Sequence, residues 1–237
     1  METIAKKVLE IVDAGLSKGM GEPIPGKMCV EAAVCAAYGL PHSDNPPCVG
    51  KAVRELKIML NDQFEGGPSE RAGLLRRLAI AQLGSVEIDQ VEFAIRVALL
   101  VYRAPAFTTW AGNWLSGQDK SKRAALAAAS AADDADAADN AEASAANAAT
   151  YAASAAASAA ASAAAHADNA ADAAASAAAS AANAAVHAAN AAVHAAYDTA
   201  HAAYDTAAHT LSQFAENVVQ ILAGMKSPGA AYLYLTA

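Results

Sequence analysis

The chain has 237 residues, room for one large domain or for a smaller domain with an extension. Its hydrophobic share of 55% is inflated by alanine: 51 of the 86 residues from Ala124 to His209 are alanine, which bury too little apolar area for an ordinary core. Residues 1–123 hold 15 Lys/Arg and 14 Asp/Glu, whereas residues 124–225 hold ten Asp/Glu and no Lys or Arg. A segment without cations cannot neutralise phosphates and is repelled by anionic membrane, so nucleic acid and membrane are excluded as its expected partners.

Residues 3–14 place Ile4, Val8, Leu9, Ile11 and Val12 on one helical face. Gly15 to Lys27 carries four glycines and two prolines and reads as loop. Met28 to Tyr38 reads as a short buried helix that ends at Gly39-Leu40-Pro41. His42 to Pro47 is a polar turn, expected to cap a helix over Cys48–Leu60. Gly66-Gly67-Pro68 breaks the chain, and Ser69 with Glu70 is expected to cap the next helix, Arg71 to Leu83. A fifth helix runs from about Glu87 to Arg103, with Pro105 as its expected stop and Trp110 and Trp114 beyond it.

From Gln118 to Ala223 there are 106 residues with no glycine or proline, and alanine has the best intrinsic helix propensity. Polar residues from Ser154 to Tyr204 form one stripe, 50 residues in 14 steps if Ala173 is counted as silent. The mean step of about 3.57 is close to the helical period. From Asn183 the tract becomes a seven-residue repeat, and its polar positions Asn183, His187, Asn190, His194, Tyr197, His201 and Tyr204 form the expected interaction stripe. A strict heptad implies a left-handed supercoil with another helix. His187, His194 and His201 stand about 10.5 Å apart along such a helix and cannot share one metal. His194/Asp198 and His201/Asp205 are i,i+4 pairs whose charge would change near pH 6.5.

After His209 the composition returns to normal, and Phe214, Val218, Val219, Ile221, Leu222 and Met225 form an amphipathic face. The expected architecture is therefore all-α. A small helical domain, residues 1–117 completed by 210–237, carries an alanine-rich helical extension over 118–209. That extension is inserted before the C-terminal helix as a hairpin or bundle.

Chemistry-bearing residues concentrate near the start. Cys29, Cys35, His42 and Cys48 together hold the donors of a tetrahedral zinc site, although Cys29 and Cys35 diverge by about 120° on one helix. Read as small buried hydrophobes, the same cysteines need no ligand. Cys29 follows Pro25-Gly26-Lys27 at a helix start, where the dipole and Lys27 would lower its pKa; His42 would then serve as base and Asp44 as its orienter. Neither reading displaces the expectation of no cofactor, no metal and no catalytic centre. The opening Met1-Glu2-Thr3-Ile4 reads as amphipathic helix, and the three cysteines are an odd number, so a reducing cytoplasm is the expected location.

The tract Ala171–His209, with alanine pairs separated by Ser, Asn, His, Tyr and Asp, resembles the alanine-rich helical immunity proteins of bacterial polymorphic toxin systems. The resemblance implies a small cytoplasmic protein that binds and neutralises a toxin. The stretch from Gly26-Lys-Met-Cys-Val-Glu-Ala-Ala-Val-Cys to Cys48 resembles segments of bacterial and phage-encoded proteins of unassigned function. The composition is also similar to alanine-rich antifreeze helices, which implies ice binding. Those carry regularly spaced threonines, whereas only Thr150, Thr199 and Thr206 fall in this tract. The leading expectation is a non-enzymatic interaction protein; an ice-binding bundle and a Cys29-centred enzyme or zinc domain are the alternatives.

Overall fold

A computed structural model of the chain describes residues 1–138, 155–158, 160–161 and 200–237, with side chains placed outside 133–138 and 200–207. Eight labelled α-helices run in chain order: α1 (Glu2–Asp13), α2 (Val30–Ala37), α3 (Lys51–Gln63), α4 (Pro68–Ala81), α5 (Gln90–Val101), α6 (Pro105–Leu115), α7 (Lys122–Ala138) and α8 (Ala200–Gly224). Residues 155–158 and 160–161 are helical as well. Among the described residues the only β feature is an isolated bridge between Gly21 and Met28. The expected all-α class is the observed one.

Helix α1 is amphipathic by its spacing: Ala5, Val8, Leu9 and Val12 recur at helical intervals and are buried. Helix α2 differs, because every residue in it except Ala36 is buried. It packs against α1, α3 and α4, and a helix apolar on every face apart from one residue, Glu31, belongs inside. Helix α4 contacts α1, α2, α3, α8 and the C-terminal 3-10 helix, Pro228–Thr236. Leu75, Leu78 and Ile80 of α4 are fully buried, each contributing about 1.5–3 kcal/mol of transfer free energy.

The C-terminal helix joins this core. Leu211, Phe214, Ala215, Val218, Val219 and Leu222 are buried, and α8 packs on α4 and α5. The chain then turns through Lys226 and runs as a 3-10 helix along α4. Ser227 Oγ donates to the Ala81 carbonyl at 2.7 Å, and the Gly229 N–H donates to the Leu83 carbonyl at 2.6 Å. A Cβ on Gly229 would lie 2.1 Å from the Ile80 carbonyl oxygen, a backbone atom that cannot swing aside. Gly229→Ala is therefore expected to lower stability by about 1–3 kcal/mol. Gly73, in the middle of α4, would meet nothing within 4 Å, so Gly73→Ala is expected to raise stability by about 0.5–1 kcal/mol. Thermal unfolding of the two variants checks both signs.

Several boundaries differ from the sequence reading, each for a local reason. Helix α3 starts at Lys51, not Cys48, because Gly50 is its N-cap and the Gly50 N–H donates to Ser85 Oγ at 3.0 Å. Helix α4 starts at Pro68 and is capped by Glu70, whose Oε2 accepts from the Gly67 N–H at 2.7 Å; Ser69 lies inside the helix. Asp89 Oδ1 accepts from the Val91 and Glu92 N–H groups, so α5 starts three residues after Glu87. Pro105 opens a helix instead of only stopping one. It occupies the first turn of α6, where its missing N–H costs nothing. Trp110 and Trp114 belong to that helix.

Helix α7 begins the alanine-rich segment. Ser121 Oγ accepts from the Ala124 N–H, and Ala125, Ala128, Ala129 and Ala132 form a buried face on a helix that packs against α6. Ala156, Ala157, Ala160 and Ala161 are buried too. The positions Asn183, His187, Asn190, His194 and Tyr197 lie outside the described residues, as does most of the stretch expected to form a hairpin or bundle. The backbone of His201 and Tyr204 is on α8.

Candidate functional site

Three places in the molecule combine unusual chemistry with defined geometry. The first is the cysteine region. Cys29 is the N-cap of α2, and its Sγ accepts from the Ala32 N–H at 3.4 Å. Burial is the largest influence on this thiol and pushes its pKa up, outweighing the capping N–H. That is opposite to the lowering expected from a helix N-terminus beside Lys27. The Lys27 ammonium instead lies 3.5 Å from Glu22, in solvent. Cys35 is buried and pushed up to about 11, with burial again the main cause. Cys48 is half-buried. His42 Nε2 lies 3.1 Å from the Gly21 carbonyl, joining the 38–42 turn to the loop before α2. Among the described residues no group of three or more His, Cys, Asp or Glu side chains is placed to hold a metal ion. A thiol is reactive in proportion to its thiolate fraction and access. Thiol labelling at neutral pH is therefore expected to modify Cys48 first, with Cys29 and Cys35 reacting only on unfolding. Rapid labelling of Cys29 in the native protein would contradict this.

The second is a buried ion pair that the sequence reading did not single out. Lys57 Nζ of α3 lies 2.8 Å from Glu31 Oε1 of α2, and both side chains are 0% exposed. Beyond each other, the ammonium and Glu31 Oε2 have no hydrogen-bond partner among the described residues. Burial raises the Glu31 pKa and lowers that of Lys57, while their mutual attraction opposes both shifts. Beside the pair is a small, partly open cavity of about 20 Å³, lined by Cys29, Glu31, Asp44 and Asn61 among others. That is room for about one water. The Asn61 amide is oriented by its N–H₂ donating to the Ser17 carbonyl and to Asp62 Oδ1, and Asn61 Oδ1 has no partner among the described residues.

The third is a groove between α6 and α7. It has a volume of about 540 Å³, within the size range of binding clefts. One wall is Ala106, Thr109, Trp110 and Asn113 of α6; the other is Ala124, Ala127, Ala128 and Ala131 of α7. Each set follows the i, i+3, i+4, i+7 spacing of a single helix face. Trp110 is packed between Phe107 and Trp114 in tilted ring contacts, with centroids 5.4 and 5.9 Å away, which fixes the indole. Trp110 is 6% exposed, and its Nε1–H has no partner among the described residues. Asp119 also lines the groove; Lys120 lies over the Trp114 ring at 5.8 Å, and Lys120, Lys122 and Arg123 are exposed.

No known protein family, curated protein or solved structure matches the chain. Fold and groove together define a helical protein with an alanine-lined cleft. No helix among the described residues is long and apolar enough to cross a membrane.

Proposed function

We propose that the chain is a non-enzymatic helical interaction protein that engages a protein through its alanine-rich helices. The observation that carries this reading is the open groove between α6 and α7. Its walls are helix faces, and the α6 wall holds a packed tryptophan, the residue type that most often anchors a protein contact. Its alanine wall lets a partner backbone approach more closely than the usual 8–10 Å between helix axes. The buried, deactivated thiol of Cys29 lends a cysteine-dependent enzyme no support. The absence of Lys and Arg from residues 124–225 favours protein over nucleic acid or anionic membrane.

Within that class, an immunity-type role in the bacterial or phage cytoplasm is the reading that the resemblance of Ala171–His209 favours. The test is co-expression of the chain with the product of the reading frame beside its own. The expected result is relief of that product's toxicity and a stoichiometric complex, lost when Ala128→Trp fills the groove. A chain that forms neither this complex nor a self-assembly at about 100 µM contradicts the reading, because that concentration would reveal even a weak contact.

A further inference from the structure

We propose that α7 is a hinged flap over Trp110, and that its opening about the turn at Gly117 admits the partner between α6 and α7. The inference rests on the reading of this groove as the binding surface and adds how that surface is reached. Three observations carry it. First, the docked state leaves a buried donor unpaired. Trp110 is 6% exposed where α6 packs on α7, and its Nε1–H has no partner among the described residues. A buried donor without an acceptor weights an equilibrium against the buried state by about tenfold. Opening gives the indole N–H water, and a partner that enters the groove gives it a carbonyl or carboxylate oxygen.

Second, α7 brings little to hold the groove closed. The side chains it sets along the groove, at Ala124, Ala127, Ala128 and Ala131, are single methyl groups that bury little apolar area. Its first turn holds Lys122 and Arg123 and no acidic residue, so cations sit at the positive end of the helix dipole. Third, the joint has room to turn. Residues 116–121 link α6 to α7 and include Gly117 at φ 79°, in the left-handed region. A Cβ on Gly117 would meet nothing within 4 Å. The Asp119 N–H donates to the Asn113 carbonyl and Lys120 lies over Trp114, contacts that hold the root of the flap and leave its far end to the alanines. Detached, α7 is a helix of 17 residues, a length at which an isolated helix is marginal in water. Opening is therefore read out by exchange of its amides.

Amide hydrogen exchange of the dilute full-length chain tests the flap. Amides 126–132 of α7 are expected to exchange faster than those of α4, through an opening that leaves the core closed. Trp110→benzothienylalanine, which puts sulfur in place of the N–H in a ring of similar size, is expected to slow them about tenfold. Gly117→Ala, strained while the turn keeps its positive φ, is expected to speed them about fivefold. Exchange in α1 and α4 is expected to stay unchanged in both variants. Amides 126–132 that exchange no faster than α4, that do not slow in the Trp110 variant, or that do not speed up in Gly117→Ala would overturn the flap. A flap overturned in a chain that still forms the complex described above leaves the interaction reading standing. An opening that behaves as expected in a chain that forms neither complex nor self-assembly overturns that reading, and with it the partner that the flap would admit.

Discussion

Replacing Lys57 with methionine is expected to destabilise the protein by about 3–5 kcal/mol, because it leaves the Glu31 carboxylate alone in the core. Glu31→Leu, which strands the ammonium, is expected to cost a similar amount. The double variant Glu31→Leu/Lys57→Met removes both charges and keeps the volume, and it is expected to recover to within about 1 kcal/mol of the wild type or to exceed it. Urea unfolding of the four proteins closes the cycle. The Lys57→Met deficit also depends on pH. Burial holds the folded-state pKa of Glu31 above its ordinary value, so its contribution is fully present below the unfolded pKa and is lost as pH rises through the folded one. The deficit is therefore expected to be largest at neutral pH and to shrink as the solution is made acidic. Single variants that cost less than about 1 kcal/mol would mean that the pair is solvated.

Arg71→Ala is the second substitution with a large expected effect, about 3–5 kcal/mol. The guanidinium is 6% exposed and binds three carbonyl oxygens: Asn61 at 2.8 Å, Phe64 at 2.7 Å and Leu16 at 3.3 Å. It also lies over the Phe64 ring at 6.0 Å. One side chain on α4 thereby ties down the segment after α1 and the end of α3. Alanine strands the acceptors, and lysine offers a point charge where a planar fork is needed, so Arg71→Lys is expected to recover less than half of the loss. Guanidinium unfolding of the two variants tests this. A loss below about 1 kcal/mol for Arg71→Ala would show that water replaces the guanidinium without cost.

Both residues show why part of the molecule was not legible in the sequence. The amphipathic face of α1, the loop from Gly15 and the apolar face of α8 follow from local spacing and turn residues. Glu31 is the single charge of α2, at Val30-Glu31-Ala32, and Lys57 is flanked by apolar residues at Leu56-Lys57-Ile58 in a helix that also carries Lys51, Arg54, Glu55 and Asp62. That flanking is the one signal that could have marked them, but their pairing is a contact across 26 positions, which no local pattern encodes. Arg71 was read as the first residue of a helix, although its role is set by carbonyls up to 55 positions away. Helix α6 escaped notice because Pro105 is a stop for one helix and an allowed first turn for the next. The lowered pKa that the alternative reading of Cys29 required is opposed by burial, which outweighs the capping N–H and is a property of the assembled core.

The alanine tract, by contrast, was legible as helix wherever the structure describes it, over α7, residues 155–158 and 160–161, and α8. Alanine propensity and the absence of glycine and proline suffice for that. What the tract packs against is not written in alanine, since each side chain offers the same small surface. The information lies in the elements beside it, here α6 with Trp110 against the alanine face of α7.

The central claim, that the α6–α7 face is a binding surface, is tested most directly by amide hydrogen exchange of the full chain, alone at low and high concentration and mixed with the product of the neighbouring reading frame. The account predicts that exchange across residues 105–138 slows on self-association or in that complex, while α1 and α4 are unchanged. Exchange over 105–138 that is altered neither by concentration up to about 100 µM nor by that partner would contradict it.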